Sequence, residues 1–171
     1  EPLFRSRDQG YEGNFGREYV KNLEEYGDFD YNELSVTCSL FIPTVEAVVK
    51  ILNVKNPPKP KKLIKGIKVY DEKGDIEVSK IMARAVKDLS DCNIAIGTTA
   101  GIGRGGICII TDEYEVSTTN GIYADLCENN SEDLFQRSQN GIRTTLEIIL
   151  LLLNNKFDEI EKLENTELNV L

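Results

Sequence analysis

The chain has 171 residues, 29% of them charged, with a formal net charge of −9 and no histidine. That length suits one domain able to bury roughly 70% of its unfolded surface, and a sequence pI near 4.7 argues against a binder of nucleic-acid backbone, which would show a basic stripe. No window approaches the ~18 apolar residues of a membrane span, and without histidine or clustered cysteine the ligand set of a zinc or haem site is missing.

Residues 1–14 are polar and glycine-rich and show no period, an atypical N-terminal segment. Phe15, Tyr19, Leu23 and Tyr26 then recur at helical spacing until Gly27 stops the pattern. Leu34 to Ile42 has the β-branched, apolar character of a strand closed by Pro43, after which Thr44 caps a helix burying Val45, Val48, Val49 and Leu52. The run Asn56 to Lys62 holds three prolines and serves as a connector. Ile64 to Tyr70 returns to strand, Asp71 to Gly74 makes a turn, and Asp75 opens a helix reaching Leu89. Strands follow over 93–98, 107–111, 115–119 and 122–126. Ser131 caps the last long helix, with Glu132 and Asp133 at its positive end, and residues 155–171 form a helical tail. Cys38, Cys92, Cys108 and Cys127 are too scattered for C-x-x-C chemistry and fit free thiols in a reducing cytoplasm. Helices alternate with strands in the first two-thirds and strands follow one another through the middle, an order that predicts a single α/β domain over 1–171, layered α/β/α, with a mixed, mostly parallel sheet and an antiparallel addition.

The segment with the most chemistry is Gly97-Thr98-Thr99-Ala100-Gly101-Ile102-Gly103-Arg104-Gly105-Gly106, five glycines in ten residues between two strand-like runs. It has no lysine, so it is no Walker A loop. It matches Gly-x-Gly-x-x-Gly, but a strand rather than a helix follows, and a dinucleotide site needs the helix N-terminus. A turn without a ligand remains open. Consecutive backbone N–H groups, two threonine hydroxyls and one guanidinium instead favour a nest for a phosphate or carboxylate. Asp125 follows a strand end, where sites in α/β folds often lie, and is the second candidate. Arg137 and Arg143 fit surface ion pairs, and Cys127 is the most exposed-looking thiol.

Phe41-Ile42-Pro43, Gly66-Ile67-Lys68-Val69-Tyr70, the loop from Thr98 to Gly106, Tyr123-Ala124-Asp125-Leu126 and Arg137-Ser138-Gln139-Asn140-Gly141-Ile142 together resemble a methanogen family. That family is the HcgF-like proteins of Fe-hydrogenase cofactor biosynthesis, in turn similar to the CinA C-terminal domain, the nicotinamide mononucleotide deamidase. The resemblance covers roughly residues 13–153, and the Thr-Thr-Ala-Gly-Ile-Gly loop is its most specific part. It implies a CinA-like layered fold and a pocket for a guanylylpyridinol-type or other nucleotide conjugate, whose carboxylate the HcgF-like proteins hold as a thioester on a cysteine ending the first strand. Aligning Gly13-Asn14-Phe15-Gly16 with the glycines after that cysteine puts Gln9 in the nucleophile's place, and glutamine cannot form a thioester.

The sequence therefore nominates Gln9, Thr98, Thr99, Ala100, Gly101, Ile102, Gly103, Arg104 and Asp125 as ligand-binding residues, with no catalytic residue assigned and no metal. The expected function is to bind a guanylylpyridinol-like conjugate and assist acyl or ligand transfer in cofactor assembly. The alternatives are a non-catalytic carrier module for such a conjugate and a pyridine-nucleotide amidohydrolase. No tightly bound cofactor, nucleic acid or membrane is expected. The expected partners are the small-molecule conjugate, a second copy of the chain and other cofactor-assembly proteins.

Overall fold

The computed structural model describes residues 37–128 and 130–171. The chain divides into two compact units, Glu1–Phe41 and Ile42–Leu171. Gln9, the segment 1–14 and the helix expected over 15–26 lie outside the described residues. Of the strand expected over 34–42, residues 37–42 are described and carry no strand. The elements below all belong to the second unit.

Thr44 caps the short helix α1 (Val45–Lys50) as expected, its Oγ1 accepting from Ala47 N at 3.1 Å. Val48 and Leu52 pack with Ile42 and Ala85, whereas Val49 faces solvent. The single strand expected over Ile64–Tyr70 is instead a hairpin, β1 (Lys62–Ile64) against β2 (Ile67–Val69). Its two turn residues, Lys65 and Gly66, both have positive φ (51° and 85°), the turn geometry whose twist matches the flanking strands.

Helix α2 (Glu72–Ser90) begins three residues before the expected Asp75, because Asp71 is its cap and draws Gly74 into the first turn through a 2.9 Å Gly74 N to Asp71 Oδ1 bond. Six strands follow: β3 (Ala95–Thr99), β4 (Ile102–Gly103), β5 (Gly106–Ile110), β6 (Tyr114–Thr118), β7 (Ala124–Asp125) and β8 (Glu167–Val170). The main sheet runs β3-β5-β6-β8, and β4 pairs with β7. The α/β class stands, but the mostly parallel character is not found among the described residues. Every strand pair among the described residues is antiparallel, and the parallel contact is an isolated bridge between Asp71 and Ile102. The connections explain this. The glycine loop and the turn at Asp112–Glu113 are far too short for the crossover a parallel pair requires.

Helix α3 (Ser131–Leu153) is capped by Asn130 rather than Ser131, with Asn130 Oδ1 accepting from Asp133 N. It runs through Gly141 without a break. Helix α2 packs on β3 and β5, and α3 on β5 and β7. All five β5 residues are buried, as a strand covered on both faces must be. The helical tail expected over 155–171 is corrected too. Only α4 (Phe157–Glu161) is helical, and the chain then extends β6 as β8. The main-chain groups of β6 need a ladder partner, and the tail is pinned there by a Phe157–Tyr114 ring contact (4.5 Å) and a 2.8 Å bond between the Thr118 and Thr166 hydroxyls.

Candidate functional site: a glycine loop held between opposite charges

The loop from Thr98 to Gly106 connects β3 to β5 and folds over the N-terminal turn of α2. Several of its donors are already engaged by the protein's own acidic side chains. Gly101 N donates to Asp75 Oδ2 at 2.7 Å, and the Thr99 hydroxyl to Asp75 Oδ1 at 3.3 Å. Arg104 grips Glu72 from its Nε (3.0 Å) and Nη2 (2.7 Å), and its own backbone N–H donates to the same carboxylate at 3.1 Å. Acids in the first turns of α2 also lie at the positive end of the helix dipole.

The loop's carbonyls meet the opposite charge. Arg137 reaches in from α3, with Nη1 3.0, 2.8 and 2.6 Å from the carbonyl oxygens of Gly101, Gly103 and Ala124, and Nη2 3.1 Å from that of Ala100. Its side chain is buried, so the expected surface ion pair for Arg137 is corrected. The guanidinium satisfies main-chain oxygens that would otherwise be stranded at a loop centre.

Packing accounts for three of the loop's glycines. A Cβ on Gly97 would stand 2.1 Å from Ser79 O, one on Gly101 2.4 Å from Tyr70 O, and one on Gly106 2.3 Å from Asp75 O. Gly103 and Gly105 take positive φ, 128° and 75°. Thus the composition that suggested a nest is explained position by position through close backbone approach and turn geometry.

Asp75 is fully buried, and that burial pushes its carboxyl up to about 7 against the pull of the Gly101 N–H, the Thr99 hydroxyl and the charges of Arg137 and Lys68. Glu72 is held below the usual carboxylate range, chiefly by its hydrogen bond from Arg104. Asp71 is lowered by the Gly74 N–H and then by Lys61, whose Nζ lies 3.1 Å away.

Of the nominated residues, Thr98 and Thr99 end β3, Ala100 to Arg104 form the clamped arch, and Asp125 sits opposite Ile102 in the β4–β7 pair. The structure therefore brings the loop and Asp125 together, while Gln9 lies outside the described residues. Asp125 uses Oδ1 to accept from Cys127 N at 2.7 Å. The Cys127 thiol, 3.9 Å from Lys62 Nζ, is raised by burial and by Asp125. Cys108 lies in the core, where burial pushes its thiol up to about 12. Neither is an activated nucleophile. Glu72, Asp75 and Arg137 went unnominated. Their one sequence signal is that Asp75 and Ser79 interrupt the apolar stripe of α2, polar residues where a core face calls for apolar ones.

The fold and site define an α/β protein organised around a rigid, charge-clamped loop. Among the described residues no group of acids and cysteines could hold a metal ion. The model of the family described as FeGP cofactor biosynthesis protein HcgF matches residues 4–153, and the chain belongs to that family. Membership gives it a role in FeGP cofactor biosynthesis. The chain is similar to a UPF0254 protein of Methanococcus aeolicus, 41% identical over 87% of this chain and 84% of the relative. Two UPF0254 proteins of Methanothermobacter thermautotrophicus are 45% and 38% identical, over 68% and 69% of this chain and 72% and 74% of the relatives.

Proposed function

We propose that the chain binds a nucleotide-conjugated pyridine compound of the guanylylpyridinol kind against the 98–106 loop, and presents its acyl group for transfer during FeGP cofactor assembly. The observation that carries this is the geometry of Arg104. Glu72 takes Nε and one side of Nη2, so the guanidinium, only a third exposed, still has the Nη1 edge to offer a phosphate. Held on one edge by a carboxylate, it is pre-positioned for an oxyanion on the other, which lowers the ordering cost of binding. Asp125, on the adjacent rung, supplies an acceptor for a hydroxyl or exocyclic amine of the ligand.

The state of the thiols supports a second reading, a carrier that holds the conjugate while another protein performs the transfer. With Cys127 raised and Cys108 buried, neither supplies a ready thiolate. Calorimetry with GMP and with a guanylylated pyridinol tests the binding. Arg104→Ala weakens it by about 1.5–3 kcal/mol, the worth of a charge-assisted hydrogen bond, and unchanged affinity refutes the assignment. Transfer assayed in Cys127→Ser separates the two readings. Loss of transfer with intact binding assigns catalysis to that thiol, and full retention removes it.

A further inference from the structure

Positive charge in this acidic chain is concentrated in one place. From Ala47 to Tyr70 there are seven lysines and no aspartate or glutamate, whereas the remaining residues set 13 basic side chains against all 29 acidic ones. The fold makes that stretch a fixed prong. The Lys61 N–H donates to Val69 O at 2.8 Å, the Tyr70 hydroxyl to Pro58 O at 2.8 Å, and the Lys68 N–H to Pro43 O at 2.9 Å. Pro57, Pro58 and Pro60 stiffen the approach. Lys55, Lys59, Lys61, Lys62 and Lys65 are exposed on it, Lys61 paired with Asp71 at 3.1 Å, while Lys68 is buried and its ammonium bonds the Ile42 carbonyl. Between Lys62 and Lys65 in sequence stands Leu63, 64% exposed, an apolar side chain presented within the basic stretch.

We infer that the β1–β2 hairpin is a docking surface for an acidic protein partner, one whose Asp/Glu-rich face carries an apolar notch for Leu63. The sign separation supplies the charge complementarity. Lys55, Lys59, Lys62 and Lys65 steer an acidic surface to the prong, and the strongly acidic remainder repels it from elsewhere. Nucleic acid fits less well. The prong has no arginine for bidentate phosphate contacts, its one aromatic, Tyr70, is buried, and a long polyanion would run onto the acidic remainder. Lys59 and Lys65 are not among the residues assigned to ligand binding, so variants there let the two proposals fail independently.

The test is an NMR titration of the whole 15N-labelled chain with poly-L-glutamate as probe. The expected result is shifts over residues 59–68, with affinity falling as salt is raised from roughly 50 to 300 mM. In Lys59→Glu/Lys65→Glu affinity drops at least about tenfold, while GMP binding, measured separately, is unchanged. Lys59→Gln/Lys65→Gln, neutral and less perturbing, gives an intermediate loss if the reversal variant fails to fold. Shifts centred on 98–106, or no binding at low salt, overturn the inference. So does tighter binding of poly-uridylate or of anionic phosphatidylserine vesicles, and so does a sedimentation coefficient that shows self-association lost in the variant.

Discussion

Gly97, Gly101 and Gly106 let three backbones touch. At Gly106 an added Cβ would lie 2.3 Å from the carbonyl oxygen of Asp75 and 2.5 Å from Ile76 N, both main-chain atoms of a helix that cannot step aside. Gly106→Ala is therefore expected to cost about 3 kcal/mol, at the upper end of overpacking penalties, and to disturb Asp75 and so the loop. At Gly121 the nearest atom to an added Cβ is the Asn140 Oδ1 at 3.6 Å, an ordinary contact. Gly121→Ala should shift stability by less than about 0.5 kcal/mol. Urea unfolding of both variants checks the contrast, and equal effects would show that the close approach at Gly106 is readily relieved.

At the level of elements, two helices define the site: α2 brings carboxylates to the loop's amides and α3 brings a guanidinium to its carbonyls. Arg137 spans four carbonyl oxygens from two nitrogens of a planar group. A lysine at that position carries its donors on one atom and cannot cover that spread. Arg137→Lys is expected to destabilise by about 3 kcal/mol, because main-chain acceptors are left unmet at a buried site. It should also loosen the loop, seen as faster amide exchange over 100–104, whereas unchanged exchange would mean water replaces the guanidinium at no cost. This partnership shows what the sequence could and could not disclose. The Thr44 cap, the body of α2 from Asp75 to Leu89 and the strands around the glycine loop follow from local spacing, capping chemistry and turn residues. Sheet direction depends on which strands meet, and a tail that continues β6 looks helical when its partner is unknown. Arg137 lies 33 positions from Arg104 in sequence, so nothing local distinguishes a buried clamp from a surface cation. The Lys65–Gly66 turn was legible in principle, as a glycine flanked by short apolar runs.

Across the whole molecule, the carboxylates of α2 set opposing pH dependences. Glu72 and Asp71 have folded pKa values below their unfolded ones, so their stabilisation is complete above the unfolded carboxylate range and is lost as pH falls through the depressed values. Asp75 works the other way. Its carboxyl binds a proton more tightly folded (about 7) than unfolded (3.8), so its contribution is fully present below the unfolded value and declines as pH rises toward 7. The slope through that window is about 1.4 kcal/mol per pH unit, for a total of about 4 kcal/mol. Stability should therefore be greatest in mildly acidic solution, near the lower end of the window. It falls on the acid side as Glu72 and Asp71 protonate, and toward neutral pH as Asp75 ionises in a fully buried site. In Asp75→Asn, the amide oxygen can accept from Gly101 N and the amide nitrogen can donate to the Thr99 hydroxyl, so the loop keeps its partners while the titration disappears. Urea unfolding at intervals from pH 4 to 8 should show the wild type losing stability toward neutral pH and the variant nearly flat above pH 5. Parallel curves would mean that Asp75 keeps an ordinary carboxylate pKa, its burial offset by Arg137, Lys68 and the loop amide. The buried acid would then be an ion-paired anchor at every pH the protein meets.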